Sequence, residues 1–172
     1  AGRAAAIQAA KLRRRVLVIE RNPRMGGVSV HTGTIPSKTL RETVMNLSGW
    51  RERSFYGRSN RAKEEIKASD LKERLHKTLD HEVDIMEHQF ARNHVESMTG
   101  DARFTGKNEI AVDVAGDENC HLTADKFLIA TGTHTYRPDY IPFNKSTVVD
   151  GDDLLELDMI PRSLIVIGAG VI

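Results

Sequence analysis

Cysteine is nearly absent: Cys120 is the one thiol in 172 residues. A single thiol closes no disulfide within the chain and supplies no cysteine-based metal cluster. That usage fits a reducing, cytoplasmic compartment. Aromatics make up only 5% of residues, so any core rests on aliphatic side chains. An excess of one charge is also lacking. Lys and Arg number 25 and Asp and Glu 24, for a net charge of +1. Such a balance gives no field that would draw nucleic acid or a membrane surface. No apolar run approaches the roughly 20 residues of a membrane span. The N-terminal residues lack the charged and apolar regions of a signal peptide. What is present is 40% hydrophobic and 28% charged residues, as in globular proteins. The length suffices for one domain with a real core.

Residues 2–12 are rich in alanine, the best helix former, and Arg13-Arg14-Arg15 ends them. Those three charges read as a solvated helix end. Val16 to Ile19 is a continuous apolar run ending in Glu20, the pattern of a buried parallel strand. Helix, strand and terminal acid form the second half of a dinucleotide-binding βαβ unit, whose acid accepts hydrogen bonds from a ribose. Gly2 stands where the last glycine of that fingerprint falls, about 18 residues before Glu20. A solvent-facing strand end is the plainer reading of Glu20.

Arg21 to Met25 leads into Gly26-Gly27-Val28-Ser29-Val30-His31-Thr32-Gly33-Thr34-Ile35-Pro36-Ser37-Lys38. Three glycines in eight residues let backbone approach a ligand closely. Pro36 suits a first helical turn, and amides at a helix start favour an anion. The stretch reads as a loop cradling a flat, phosphate-bearing ligand and feeding a helix. An ordinary glycine-rich connection is the alternative. The helix continues to Leu47, with Leu40, Val44 and Leu47 on one face. Arg51, Arg53, Arg58 and Arg61 lie among Phe55 and Tyr56, a pattern that single-stranded nucleic acid can use. Acids from Glu64 onward balance them, and a surface loop explains them as well.

Ser69 reads as the N-cap of a long helix over about residues 70–93, with Asp70 in its first turn. Its His76, His81 and His88 are five and seven apart, not the four of a metal pair. Residues 95–104 read as a strand-like segment with a break at Gly100, and with the alternating segments 109–114 and 120–124 they read as an antiparallel meander. Residues 126–132 read as a buried strand ending in Ala130-Thr131-Gly132. Arg137 to Phe143 is linker-like. Residues 161–172 read as a strand entering Gly168-x-Gly170, the start of a second dinucleotide fold.

The stretch from Gly26 to Lys38 resembles the redox-loop segment of the flavoprotein disulfide reductase family, and the likeness runs along the whole chain. In most of that family cysteines stand at the positions of Ser29 and Thr34. Within it, the chain is similar to the soluble transhydrogenase branch, in which Thr-Ile-Pro-Ser-Lys replaces Cys-Ile-Pro-Ser-Lys. That branch often keeps the first cysteine, where this chain has Ser29. The resemblance implies an α/β, Rossmann-like FAD-binding domain, a parallel sheet plus an antiparallel β-meander. It implies residues 1–150 in that domain and residues 151–172 as a re-entrant segment and the start of an NAD(P)-binding domain. Ala1-Gly2 opens straight into helix and Ile172 stops in a glycine motif, so a fragment truncated at both ends is expected. Weak or absent FAD binding and no turnover are expected of residues 1–172 alone.

The implied cofactor is FAD, with NADP(H) and NAD(H) as substrates. The implied binding positions are Gly2, Glu20, Arg21, Gly26, Gly27, Val28, Ser29, Gly33, Thr34, Lys38, Asp101, Ala102 and Ala130 to Gly132, with Gly168 and Gly170 for the nicotinamide nucleotide. Lys38 and Thr34 are the implied catalytic positions. A lysine at Lys38 lies near the reactive edge of the flavin in the family and stabilises its reduced, anionic form; a solvated helix lysine is the alternative. Ser29 and Thr34 cannot shuttle electrons as a thiol pair does. Hydride transfer from NADPH to NAD+ through FAD, the Si-specific type, is what remains. A diaphorase-like reductase, a flavin-binding remnant and a basic nucleic-acid module are the alternatives. The family also implies a homo-oligomer assembled through a C-terminal domain outside this chain.

Overall fold

The computed structural model describes residues 1–49, 66–114 and 119–168. The basic stretch from Arg51 to Arg61 and the position of Gly170 lie outside the described residues. The elements run α1 (Gly2–Lys11), β1 (Leu17–Glu20), α2 (Gly27–His31), α3 (Thr34–Leu47), α4 (Ala68–Arg92), β2 (Glu96–Thr99), β3 (Asp101–Gly106), β4 (Glu109–Asp113), β5 (Cys120–Thr123) and α5 (Gly151–Leu154). The chain is α/β, with β1 and β2 parallel and β3-β4-β5 antiparallel.

The long helix α4 is the spine. Its apolar residues recur at three- and four-residue spacing, and Leu75, Leu79, Val83, Met86 and Phe90 are all buried. The first three share a core with Val30 of α2 and with Leu155, and Ile35 and Leu40 pack against it. Met86 and Phe90 share a second core with Ala6 and Val95, flanked by Ile7, Val16, Val18 and Met25. Burying each such side chain is worth roughly 1.5–3 kcal/mol, so α4 holds both halves of the molecule to one scaffold. Its start differs from expectation. The helix begins at Ala68, and Ser69 lies within it. The Asp70 carboxylate caps instead, accepting from the Lys67 amide at 2.9 Å.

Arg13 stands where a helix usually ends on glycine. It adopts φ 59°, while its amide bonds Ala10 O at 2.8 Å and the Arg14 amide bonds Ala9 O at 3.1 Å. An L-residue in that region costs roughly 1–2 kcal/mol, which the capped carbonyls offset.

Three further expectations are corrected. Residues 95–104 do not all join the meander. They divide at Gly100, with β2 pairing β1 and β3 pairing β4. A Cβ on Gly100 would lie 2.6 Å from Val112 Cγ1, so only glycine lets the chain pass from one sheet to the other there. Residues 126–132 and 164–167 form no strand. No described strand pairs with either, and an isolated parallel strand leaves its backbone groups unsatisfied. Phe127 rests edge-on against Phe104, with centroids 5.1 Å apart, while Leu128 and Ile129 are 66% and 71% exposed. On α3, Val44 is exposed and Thr43 is buried, its hydroxyl bonding Thr39 O at 2.7 Å.

Candidate functional site

The glycine stretch is not a simple loop. Its middle is α2, a single helical turn between Gly26 and Gly33. Gly26 adopts φ 134°, and a Cβ there would lie 2.6 Å from Val30 Cβ. Both facts require glycine. Val30 is 3% exposed and anchors the turn to α4, whereas Ser29 points outward and donates to Gly26 O at 3.2 Å. The Gly33 amide closes the turn on Val28 O at 2.6 Å. His31, absent from the expected set, donates through Nε2 to Met25 O at 2.9 Å and so fixes the entry to the cradle. Its only sequence signal is a histidine inside a glycine-bounded turn.

Three separate stretches meet at this turn. A Cβ on Gly2, at the start of α1, would lie 3.2 Å from Ala130 Cβ. A Cβ on Gly132 would lie 3.7 Å from Val28 Cγ2. The N-terminus of α1, the Ala130-Thr131-Gly132 turn and α2 are therefore neighbours. Helix amides at the α1 start and a close-packed, side-chain-free backbone make a surface suited to a diphosphate. Thr34 and Lys38 lie on the first turns of α3, and both are exposed.

Glu20, Arg21 and Asp101 lie near the ends of the parallel strands. Glu20 ends β1, and its Oε1 accepts from the Asn22 amide at 3.0 Å. The Gly100 amide donates to Glu20 O at 3.0 Å. Arg21, Thr99, Gly100, Asp101, Asp113 and Val114 line a cleft of about 390 Å³ beside them. Ala102 is on β3, paired with Val112. Gly168 is exposed at φ 128° and joins none of these groups.

Sequence reasoning also left out Arg137. Its guanidinium bonds Asp150 Oδ2 at 2.7 Å and Asp153 Oδ1 at 2.9 Å and lies 5.3 Å from the Phe143 ring centroid. The hydrogen bond from Arg137 holds the Asp150 carboxyl below its usual range, against the opposing effect of burial. The Asp150-x-x-Asp153 spacing of a capping box is the signal that marks these carboxylates in the sequence. Among the described residues no His, Cys, Asp and Glu form a group of three that could hold a metal. No described helix is long and apolar enough to cross a membrane.

The family described as pyridine nucleotide-disulphide oxidoreductase matches residues 1–172. A soluble pyridine nucleotide transhydrogenase of Mycobacterium tuberculosis (strain ATCC 25177 / H37Ra) is 44% identical over 172 residues, covering 99% of this chain and 37% of that protein. The one from Aliivibrio fischeri is 37% identical over 171 residues, covering 99% of this chain and 36% of the relative. Among solved structures, LpdA of Mycobacterium tuberculosis superposes with a TM-score of 0.80 at 20% identity, over 93% of this chain and 36% of its own. The HOCl-induced flavoprotein disulfide reductase RclA of Escherichia coli gives 0.68 at 24% identity, over 93% and 32%. The chain thus spans little more than a third of the curated relatives it matches. On the match along its whole length, the chain belongs to the pyridine nucleotide-disulphide oxidoreductase family.

Proposed function

We propose that this chain forms the FAD-binding part of a transhydrogenase that passes hydride between NADPH and NAD+. The observation that carries the reading is the meeting of Gly2, the Ala130–Gly132 turn and Val28 around one helical turn. A cradle whose glycine positions a Cβ would fill fits a ligand approached by bare backbone. In this reading the α1 amides hold the diphosphate and Glu20 accepts from a ribose. Arg21, Asp101 and Ala102 flank the same nucleotide end. Gly26, Gly27, Val28, Gly33 and Thr34 shape the cradle. Lys38 brings a fixed positive charge one turn into α3. Bound FAD supplies two-electron transfer between nicotinamides. Ser29 and Thr34 contribute hydroxyls, which cannot form a disulfide, so no dithiol couple takes part. Residues 1–150 are assigned to this domain, and residues 151–172 to its re-entrant segment and the approach, through Gly168 and Gly170, to a nicotinamide domain. Turnover, si-face stereochemistry and subunit assembly are assigned to the full-length protein, because the chain spans 37% of its M. tuberculosis relative.

The test is the visible spectrum of the full-length protein without oxygen. The expected result is a flavin spectrum that bleaches with NADPH and recovers with NAD+. A flavin spectrum unmoved by both nucleotides would make the domain a binding remnant. A protein without flavin would refute the reading.

A further inference from the structure

Residues 132–155 approach α2 at one end and share its core cluster at the other. At one end Gly132 abuts Val28, at 3.7 Å from a Cβ position. At the other, Leu155 is 8% exposed and buried in the same cluster as Val30. Between them Arg137 closes the loop by bridging Asp150 and Asp153. Those carboxylates are 7% and 10% exposed at their side chains, while Arg137 is 37% exposed. Asp150 Oδ1 is already taken by the Asp152 and Asp153 amides, each at 2.9 Å, so the guanidinium meets the remaining oxygen. Thr135 adds a bond to Asp152 Oδ2 at 3.0 Å. The planar fork of arginine spans two acceptors at once, which a lysine ammonium does less well. With only five residues, α2 is far too short to hold itself. Its order comes from packing: Val30 sits in the core with Leu75, Leu79 and Val83 of α4, and Leu155 closes that cluster.

We propose that Arg137 is a positioning residue: it closes residues 132–155 into a clasp that grips α2 and so holds the glycine cradle in shape. Without it, Asp150 Oδ2 and Asp153 Oδ1 lose their charged partner, while the backbone amides keep only the other oxygens. The strap then lifts, and Leu155 leaves the core beneath Val30. The consequence for ligand binding rests on the flavin reading, whereas the clasp itself does not.

The experiment uses the full-length protein as wild type, R137M, R137K, L155A and the R137M/L155A double variant. Amide exchange in the flavin-free protein is the first readout. The Thr32 and Gly33 amides, which bond Val28 O, exchange about tenfold faster in R137M, while the β3–β4 amides keep their wild-type rates. L155A gives the same signature, and the double variant adds nothing to it. FAD affinity is the second readout, expected to fall about tenfold in R137M and less in R137K. Exchange at Thr32 and Gly33 within about twofold of wild type, or additive effects in the double variant, would overturn the clasp. Should R137M also loosen β3–β4, R137K decides by the same comparison. A wild-type protein that binds no FAD defeats the flavin reading alone, and the exchange arm still decides the clasp.

Discussion

Helix α4 and the segment from Leu164 to Ile167 are both rich in aliphatic residues, yet they end in opposite states. Leu75 of α4 is 1% exposed and Ile167 is 94% exposed. A helix satisfies its own backbone, so its apolar stripe needs only a surface to lie on. A strand needs a neighbour for its backbone before its side chains can be buried. Residues 126–130 show the same contrast from the middle of the chain, with Leu128 and Ile129 open to solvent. Hydrophobicity sets what a segment would gain by burial. A hydrogen-bonding partner decides whether a strand collects it.

The contrast can be broken most directly at Leu75. Leu75→Ala is expected to destabilise the 172-residue chain by about 2–5 kcal/mol, because it empties the joint between α2, α4 and Leu155. Urea unfolding measures this, and a loss below about 1 kcal/mol would mean that α4 is not the spine. Gly26→Ala sharpens the contrast from the cradle side. It forces a Cβ into φ 134° and against Val30, with an expected cost of about 1–3 kcal/mol. Thermal melting would show it, and an unchanged midpoint would argue against this conformation. The smallest effect belongs to the exposed run. Ile167→Ser is expected to change the stability of the 172-residue chain by less than about 0.5 kcal/mol. A loss matching that of Leu75→Ala would show that the run is packed after all.

Much of the fold is legible in the residues. The alanines of α1, the apolar run of β1, the stripe of α4 and the alternation of β4 and β5 each point to one element. Gly2, Ala130 and Gly132 come together beside Val28, a meeting that no local pattern fixes. The glycine stretch was read as a loop because three glycines disfavour helix. Val30, locked against α4, imposes a turn of helix on it. The break at Gly100 is legible in the sequence, but that β2 leaves the meander to pair with β1 is not, because the residues on both sides of it are strand-like. The role of His31 is not legible because its partner is the Met25 backbone carbonyl rather than a side chain in the motif, and Arg137 stands in a linker-like stretch outside any motif.

The sequence by itself determined the α/β class, the helical spine, the glycine-rich stretch before α3 and the family, since these rest on local periodicity and on residue order. Only the tertiary structure decided that β2 joins β1 and not the meander, that Arg13 takes a left-handed cap, and that Arg137 bridges Asp150 and Asp153. Each of these depends on which distant groups meet, and pairing across a sheet or an ion bridge is set by packing rather than by neighbours along the chain.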